Sequence, residues 1–365
     1  MPKNLPKLAA VVPFPVLITM PGNLRLSRTS SYQPALAWFA VIGAAWVFVL
    51  VMLGAFTTSI GAGMVFPDWP LSDGSLDPAG WLHNLAEFAE HSHRLSAGLM
   101  SAITLVLAGW LWRCEARAWV RRLGWGAVAL VLLQAVVGGL RVLLNPVEVT
   151  AVDTSLGQLF AMLHAGLAQI FVCSLFAIAA ALSRPWIEGP PGRPGIGAGT
   201  RRLGVICCGL LLVQLAIAAV MRHTFSGLAI PTFPLTPEGG LIPAQWDFHV
   251  AINFAHRAMA LILALALSAL AVAVAREPGA GAGIKGLAGT MLALLVGQIL
   301  LGASVVWSGR NPYITTAHVL VGALTLAVTF LVTWLTHRDV LVARSRPAAP
   351  PPPAEPAVDR LPAHA

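Results

Sequence analysis

Long apolar stretches alternate along this chain with short polar or proline-rich connections. A helix that crosses a bilayer needs ~20 apolar residues. Eight stretches qualify: Ala37–Gly61, His93–Trp112, Leu123–Leu144, Leu159–Leu182, Leu203–Met221, Phe254–Ala275, Leu287–Trp307 and Thr316–Leu335. Two connections are long, Ala62–Ser92 and Arg222–Asn253, and both are broken by prolines. The pattern predicts an all-α integral membrane protein with eight transmembrane helices.

Composition agrees with the pattern. Only 10% of the 365 residues are charged, and mean hydropathy is +0.77; soluble domains carry roughly 25% charged residues. The net charge of +8 is explained by topology. With the N-terminus cytoplasmic, 18 of the 23 Lys and Arg residues fall on the cytoplasmic side. Only Arg94, Arg141, Arg222, Arg257 and Arg310 fall on the other. This is a positive-inside signal. It places both termini inside and both long loops outside. The expected surroundings are membrane lipid, not nucleic acid. The four cysteines form no CxxC or CxxCH, so neither zinc nor covalently attached haem is indicated. Residues 1–36 read as a cytoplasmic tail, with Met20 as an alternative start to Met1. Residues 337–365 read as a Pro/Ala-rich cytoplasmic tail whose composition builds no core.

The chain also repeats itself. FPDWP at Phe66–Pro70 is answered by IPTFP at Ile230–Pro234. Pro70 precedes His93 by 23 residues, and Pro234 precedes His256 by 22. Gln134 follows His93 by 41, and Gln298 follows His256 by 42. These landmarks predict a duplication of four helices. Four is even, so both copies enter the membrane in the same direction. The expected fold is two parallel-repeat four-helix bundles related by a pseudo-twofold axis along the membrane normal. The bundles are 37–182 and 203–336, joined by a cytoplasmic linker at 183–202.

His93, His164, His256 and His318 each sit near the start of the second or fourth stretch of their half. All four therefore lie at similar depth near the outer face. A histidine in an apolar helix is costly and marks function. Two pairs, His93 with His164 and His256 with His318, match the needs of two bis-histidine haems. Interhelical hydrogen bonds or proton relays, as in a transporter, are the other use of such residues. Glu90 precedes His93 by three; the matching residue is Asn253. A carboxylate beside one site only implies different tasks: Glu90 serves as a proton acceptor or a stabiliser of positive charge, or else is a surface acid or a partner of Arg94. Arg94 and Arg257 follow their histidines and suit a haem propionate or an interfacial anchor. Gln134 and Gln298 read as interhelical hydrogen-bond donors. Trp69 and Trp81 read as interfacial belt residues, and His83, His91, His223 and His249 as non-ligands.

These residues resemble the haem A synthase family. The resemblance rests on E-x-x-H-R at Glu90–His93–Arg94, G-x-x-F-P-D-W-P-L at Gly63–Leu71, A-H-R at Ala255–Arg257 and the single histidines His164 and His318. It covers about residues 35 to 338. It implies oxidation of the C8 methyl of haem O to a formyl group, through hydroxylated intermediates, to make haem A for cytochrome oxidase. It also implies a plasma-membrane location (the inner membrane of the cell) and a catalytic Glu90. The substrate haem O would sit on His93 and His164, and a haem b cofactor on His256 and His318. Haem O synthase and cytochrome oxidase assembly factors are the implied partners; no electron donor is indicated. One departure stands out. Many bacterial members carry a cysteine pair in the first outer loop, where this chain has Phe66 and Ser72. The alternative from the residues alone is a di-haem b-type membrane electron-transfer cytochrome, which needs the histidines but not Glu90.

Overall fold

The structure is a computed structural model that describes residues 28–149, 154–189 and 195–344. Most of both tails and part of the linker lie outside the described residues. The helices are α1 (Pro34–Ser59), α2 (Leu85–Cys114), α3 (Ala118–Leu143), α4 (Leu156–Leu182), α5 (Arg184–Ile187), α6 (Ala198–His223), α7 (Phe248–Arg276), α8 (Ala282–Trp307), α9 (Pro312–Thr336) and α10 (Arg338–Arg344). Eight of them are long and apolar enough to cross a membrane. A small antiparallel hairpin, β1 (Glu148–Val149) with β2 (Thr154–Ser155), joins α3 to α4. The chain is an all-α, multi-pass membrane protein.

Several helices begin earlier than hydropathy predicts. Helix α2 starts at Leu85 rather than His93, and α7 at Phe248 rather than Phe254. The extra turns carry polar residues, Glu87, Glu90 and His91 in α2 and His249 and Asn253 in α7, and they are held by caps and by loop contacts that an apolar window ignores. Helix α6 likewise starts at Ala198 rather than Leu203.

The helices that carry the four histidines share one device. Asn84, Ser155, Asp247 and Asn311 each accept a backbone N–H at the start of α2, α4, α7 and α9. Such caps satisfy orphan donors of the first turn. Helices α1, α3, α6 and α8 have no side-chain cap. The caps define where the second and fourth helices of each half begin, and hence the depth of the histidines they carry.

In the first half α1 packs on α2 and α4, and α3 on α2 and α4. In the second, α6 packs on α7 and α9, and α8 on α7 and α9. The halves meet through α1 with α9, α4 with α6, and α4 with α9. Exchanging α1 with α6 and α4 with α9 leaves this neighbour pattern unchanged. Helices α4 and α9 are the most buried spans, at 56% and 50%, whereas α8 is 11% buried. The most enclosed helices thus carry His164 and His318.

At the end away from the histidines, Trp186 of α5 is buried between the halves. It stacks on Trp334 of α9 at 5.9 Å and meets Trp119 of α3 at 6.3 Å. Arg338 donates to its carbonyl. The start of the linker is therefore a docked element. Beside it, Glu115 is fully buried at the α2–α3 turn and binds Arg117 through both carboxylate oxygens.

Candidate functional site

His93, His164 and His256 are each the ninth residue of their helix, and His318 is the seventh of its own. At about 1.5 Å per residue, all four imidazoles stand two turns inside the capped ends. The partner helices mirror this. Gln134, Gln214 and Gln298 each lie nine residues before the end of α3, α6 and α8. Neighbouring helices run antiparallel, so these amides meet the histidines at the same level. Gln134 Nε2 donates to the carbonyl of His164, and Gln214 Nε2 to that of His256, both at 3.0 Å. Gln298 Nε2 stands 3.4 Å from His318 Nε2.

Glycines make room for the rings. A Cβ on Gly54 of α1 would stand 2.7 Å from Cε1 of His93. One on Gly138 of α3 would stand 3.1 Å from Cε1 of His164, and one on Gly302 of α8 3.0 Å from Cε1 of His318. Gln134 and Gly138, like Gln298 and Gly302, are four apart and share a helix face. The histidine, the glutamine and the glycine are thus matched in both halves.

The arrangement suits a metal held between rings. The imidazoles of His256 and His318 are neighbours, with centroids 6.4 Å apart and ring planes at 66°. Two metal–nitrogen bonds of about 2 Å and the two ring radii account for a gap of that size. The Nδ1 atoms of His93, His256 and His318 are buried without a hydrogen-bond partner, as are the amide oxygens of Gln134, Gln214 and Gln298. Buried polar atoms are normally paired, so these atoms keep their bonding capacity for a bound group. His164 is oriented differently: its Nδ1 lies 3.1 Å from the Gln134 carbonyl. Donation there leaves Nε2 free as a metal ligand. Neutral imidazoles among apolar side chains are a donor set that fits haem iron.

The loop between α1 and α2 is clamped onto α2. Glu90 is only 4% exposed. Its Oε2 accepts the backbone N–H groups of Val65 at 2.7 Å and Phe66 at 3.2 Å, and its Oε1 accepts from Arg94 at 2.7 Å. Arg94 spends both terminal nitrogens on Glu90 and on the carbonyls of Phe66, Asp68 and Leu71. The expectation that Arg94 is free for a propionate meets a guanidinium already engaged. The second half is built alike. Arg257 Nη2 donates to the Ile230 carbonyl at 2.7 Å and Nε to Asn253 at 3.0 Å. Its Nη1 has no protein partner among the described residues.

Other expectations need adjustment. Trp69 packs against α3, where a Cβ on Gly139 would stand 2.6 Å from its ring. Trp81 stacks on Phe88 at 5.8 Å and donates to Asp77. Both tryptophans shape the loop rather than only ring the membrane. His91 is buried, bonded to Ser72 at 2.9 Å and edge-on to Phe66 at 6.1 Å. It therefore joins Ser72 and Phe66 of the loop between α1 and α2. His249 bonds Ser226 at 2.8 Å. Sequence reasoning missed Gln214. Its signal was available: a lone amide in an apolar helix at the same distance from the helix end as Gln134.

Known proteins resemble this chain over most of its length. A haem A synthase from Geobacillus kaustophilus is 30% identical over 305 residues, covering 78% of this chain and 86% of its own. One from Rhodospirillum centenum is 28% identical over 349 residues, covering 85% and 90%. One from Bacillus licheniformis is 30% identical over 223 residues, covering 60% and 68%. The model of the cytochrome oxidase assembly protein family COX15-CtaA matches residues 37–330, and on that match the chain belongs to this family.

Proposed function

We propose that this chain is a haem A synthase, an oxidoreductase that converts the C8 methyl of haem O to a formyl group for cytochrome oxidase. The observation that carries the reading is the inequality of two otherwise matched sites: a carboxylate, Glu90, stands one turn from His93, where Asn253 stands before His256. His93 and His164 hold the substrate haem, and His256 and His318 hold a haem b. A haem b bound there supplies one-electron transfer. Glu90 sets a negative charge beside the substrate site, in a buried setting where it stabilises positive charge or takes up a proton. Arg257, with a free Nη1, serves a propionate at the second site. The protein lies in the plasma membrane with both termini cytoplasmic and the histidines toward the outer face. Haem O synthase supplies the substrate, and cytochrome oxidase assembly factors receive the product.

Co-expression with a haem O synthase, followed by haem extraction and chromatography, tests this. Haem A is expected with the natural chain and lost in Glu90→Gln. One observation favours a second reading, a di-haem electron-transfer cytochrome: Glu90 already has a structural task in clamping Val65 and Phe66. Haem O persisting unchanged beside intact b-type haem absorbance selects that reading.

A further inference from the structure

Arg94 cannot serve the first site as Arg257 serves the second, because its terminal N–H groups are taken. A different cation stands at that rim. Gln134, Gly138 and Arg141 lie at i, i+4 and i+7 on α3 and so share one face. Gln134 bonds the His164 carbonyl, and Gly138 lies under the His164 ring. Arg141 is one turn further out, at the mouth of the same site. Its guanidinium lies against Gly63 of the first outer loop, where a Cβ would stand 3.0 Å from Cζ. It is within electrostatic range of Glu90, His93 and His164. Among the described residues it makes no side-chain hydrogen bond or ion pair. The second half has Gln298 and Gly302 in the same places, but Val305 at the third.

A guanidinium inside an apolar span is costly unless an anion meets it. Arginine is the side chain best matched to a carboxylate, through two parallel N–H donors. We infer that Arg141 binds a propionate carboxylate of the porphyrin held by His93 and His164, and so orients the substrate at the one site that must accept and release it. Gly63 is the residue that leaves room for this guanidinium. The inference rests on the reading of that histidine pair as a haem site.

The test is a titration of purified protein with ferric protohaem and, separately, with its dimethyl ester, in which both carboxylates are blocked. The share of Soret absorbance lost in His164→Ala reports the first site. The natural chain is expected to favour the free acid. Arg141→Gln is expected to bind the acid about ten- to a hundredfold more weakly, the size of one charge-assisted hydrogen bond, and the ester unchanged. Arg141→Lys is expected to keep part of the preference. Resident haem on the second pair reports folding. If Arg141→Gln fails to fold, Gly63→Val keeps the charge but displaces it, and should give the same loss. Acid and ester titrating in Arg141→Gln and Gly63→Val as in the natural chain would overturn the inference alone. No His164-dependent uptake by the natural chain would overturn the underlying haem-site reading and this inference with it.

Discussion

Glu90 and Asn253 hold the same register, three residues before His93 and His256, yet meet the loops before their helices with opposite hydrogen-bond polarity. Glu90 accepts from the N–H groups of Val65 and Phe66; Asn253 donates to the carbonyls of Ser226 at 2.9 Å and Gly227 at 3.1 Å. Each then accepts from the arginine four residues on. The loops therefore select an acceptor in one half and an amide in the other. Asn253→Asp would set a carboxylate against two carbonyls. It should cost about 1–3 kcal/mol through the unpaired buried groups, read as a lowered midpoint of thermal unfolding. An unchanged midpoint would show that the loop simply rearranges.

The clamp made by Arg94 should be visible apart from chemistry. Arg94→Ala leaves the buried Glu90 without its ion pair and three loop carbonyls without donors. Breaking one partner of a buried pair costs about 3–5 kcal/mol. Limited proteolysis should then cut the loop between α1 and α2 more readily, and Arg94→Lys should rescue little, since one ammonium cannot span four acceptors. Full rescue by lysine would contradict the clamp.

The glycine cradles predict separable losses. Gly302→Val should push the His318 ring aside and remove most b-type haem absorbance. Gly138→Val should displace His164 instead, ending haem A formation while most b-type absorbance stays. Equal loss of resident haem in both variants would contradict the division of labour between the halves.

Arg222 ties the halves together at the histidine end, donating to the Ala55 carbonyl at 2.5 Å and to Ser59 Oγ at 2.9 Å. Thr316 of α9 also donates to Ser59, at 3.2 Å. Arg222→Ala should destabilise the protein by about 1–3 kcal/mol. Ser59→Ala should cost less, and the double variant less than the sum. Strict additivity would mean that the contacts act independently.

At the other end, Glu277 accepts from the Thr200 hydroxyl and the Gly197 N–H, which hold its carboxyl below the usual range. A depressed acid contributes stability above its unfolded pKa and loses it as pH falls through the folded value. Glu277→Gln should therefore lower the unfolding midpoint at neutral pH and converge with the natural chain in acid. A constant offset at every pH would exclude the charge as the cause.

Much of the candidate site was legible in the chain. His93, His164, His256 and His318 stood out because polar residues are rare in apolar spans, and their common depth came from topology. Trp186 was not legible, since a linker tryptophan carries no sign of where it docks. For Arg94 the chain leaves a propionate, an interfacial anchor and a pair with Glu90 open; the fold shows the pair, together with partners in a loop 23 to 28 residues earlier. In the chain Arg141 is one of five cations outside the expected cytoplasmic segments; its packing against Gly63 is visible only in the fold.

The sequence by itself determined the number of spans, the register of the four histidines and the difference between Glu90 and Asn253. Hydropathy, charge and spacing carry that information, and they are properties of the chain taken one segment at a time. Only the tertiary structure decided which donors are already spent, which ring nitrogens lack partners and which cation at the first site keeps its N–H groups available. A hydrogen bond depends on direction as well as distance, and the loops set those directions when they fold back over the helix ends.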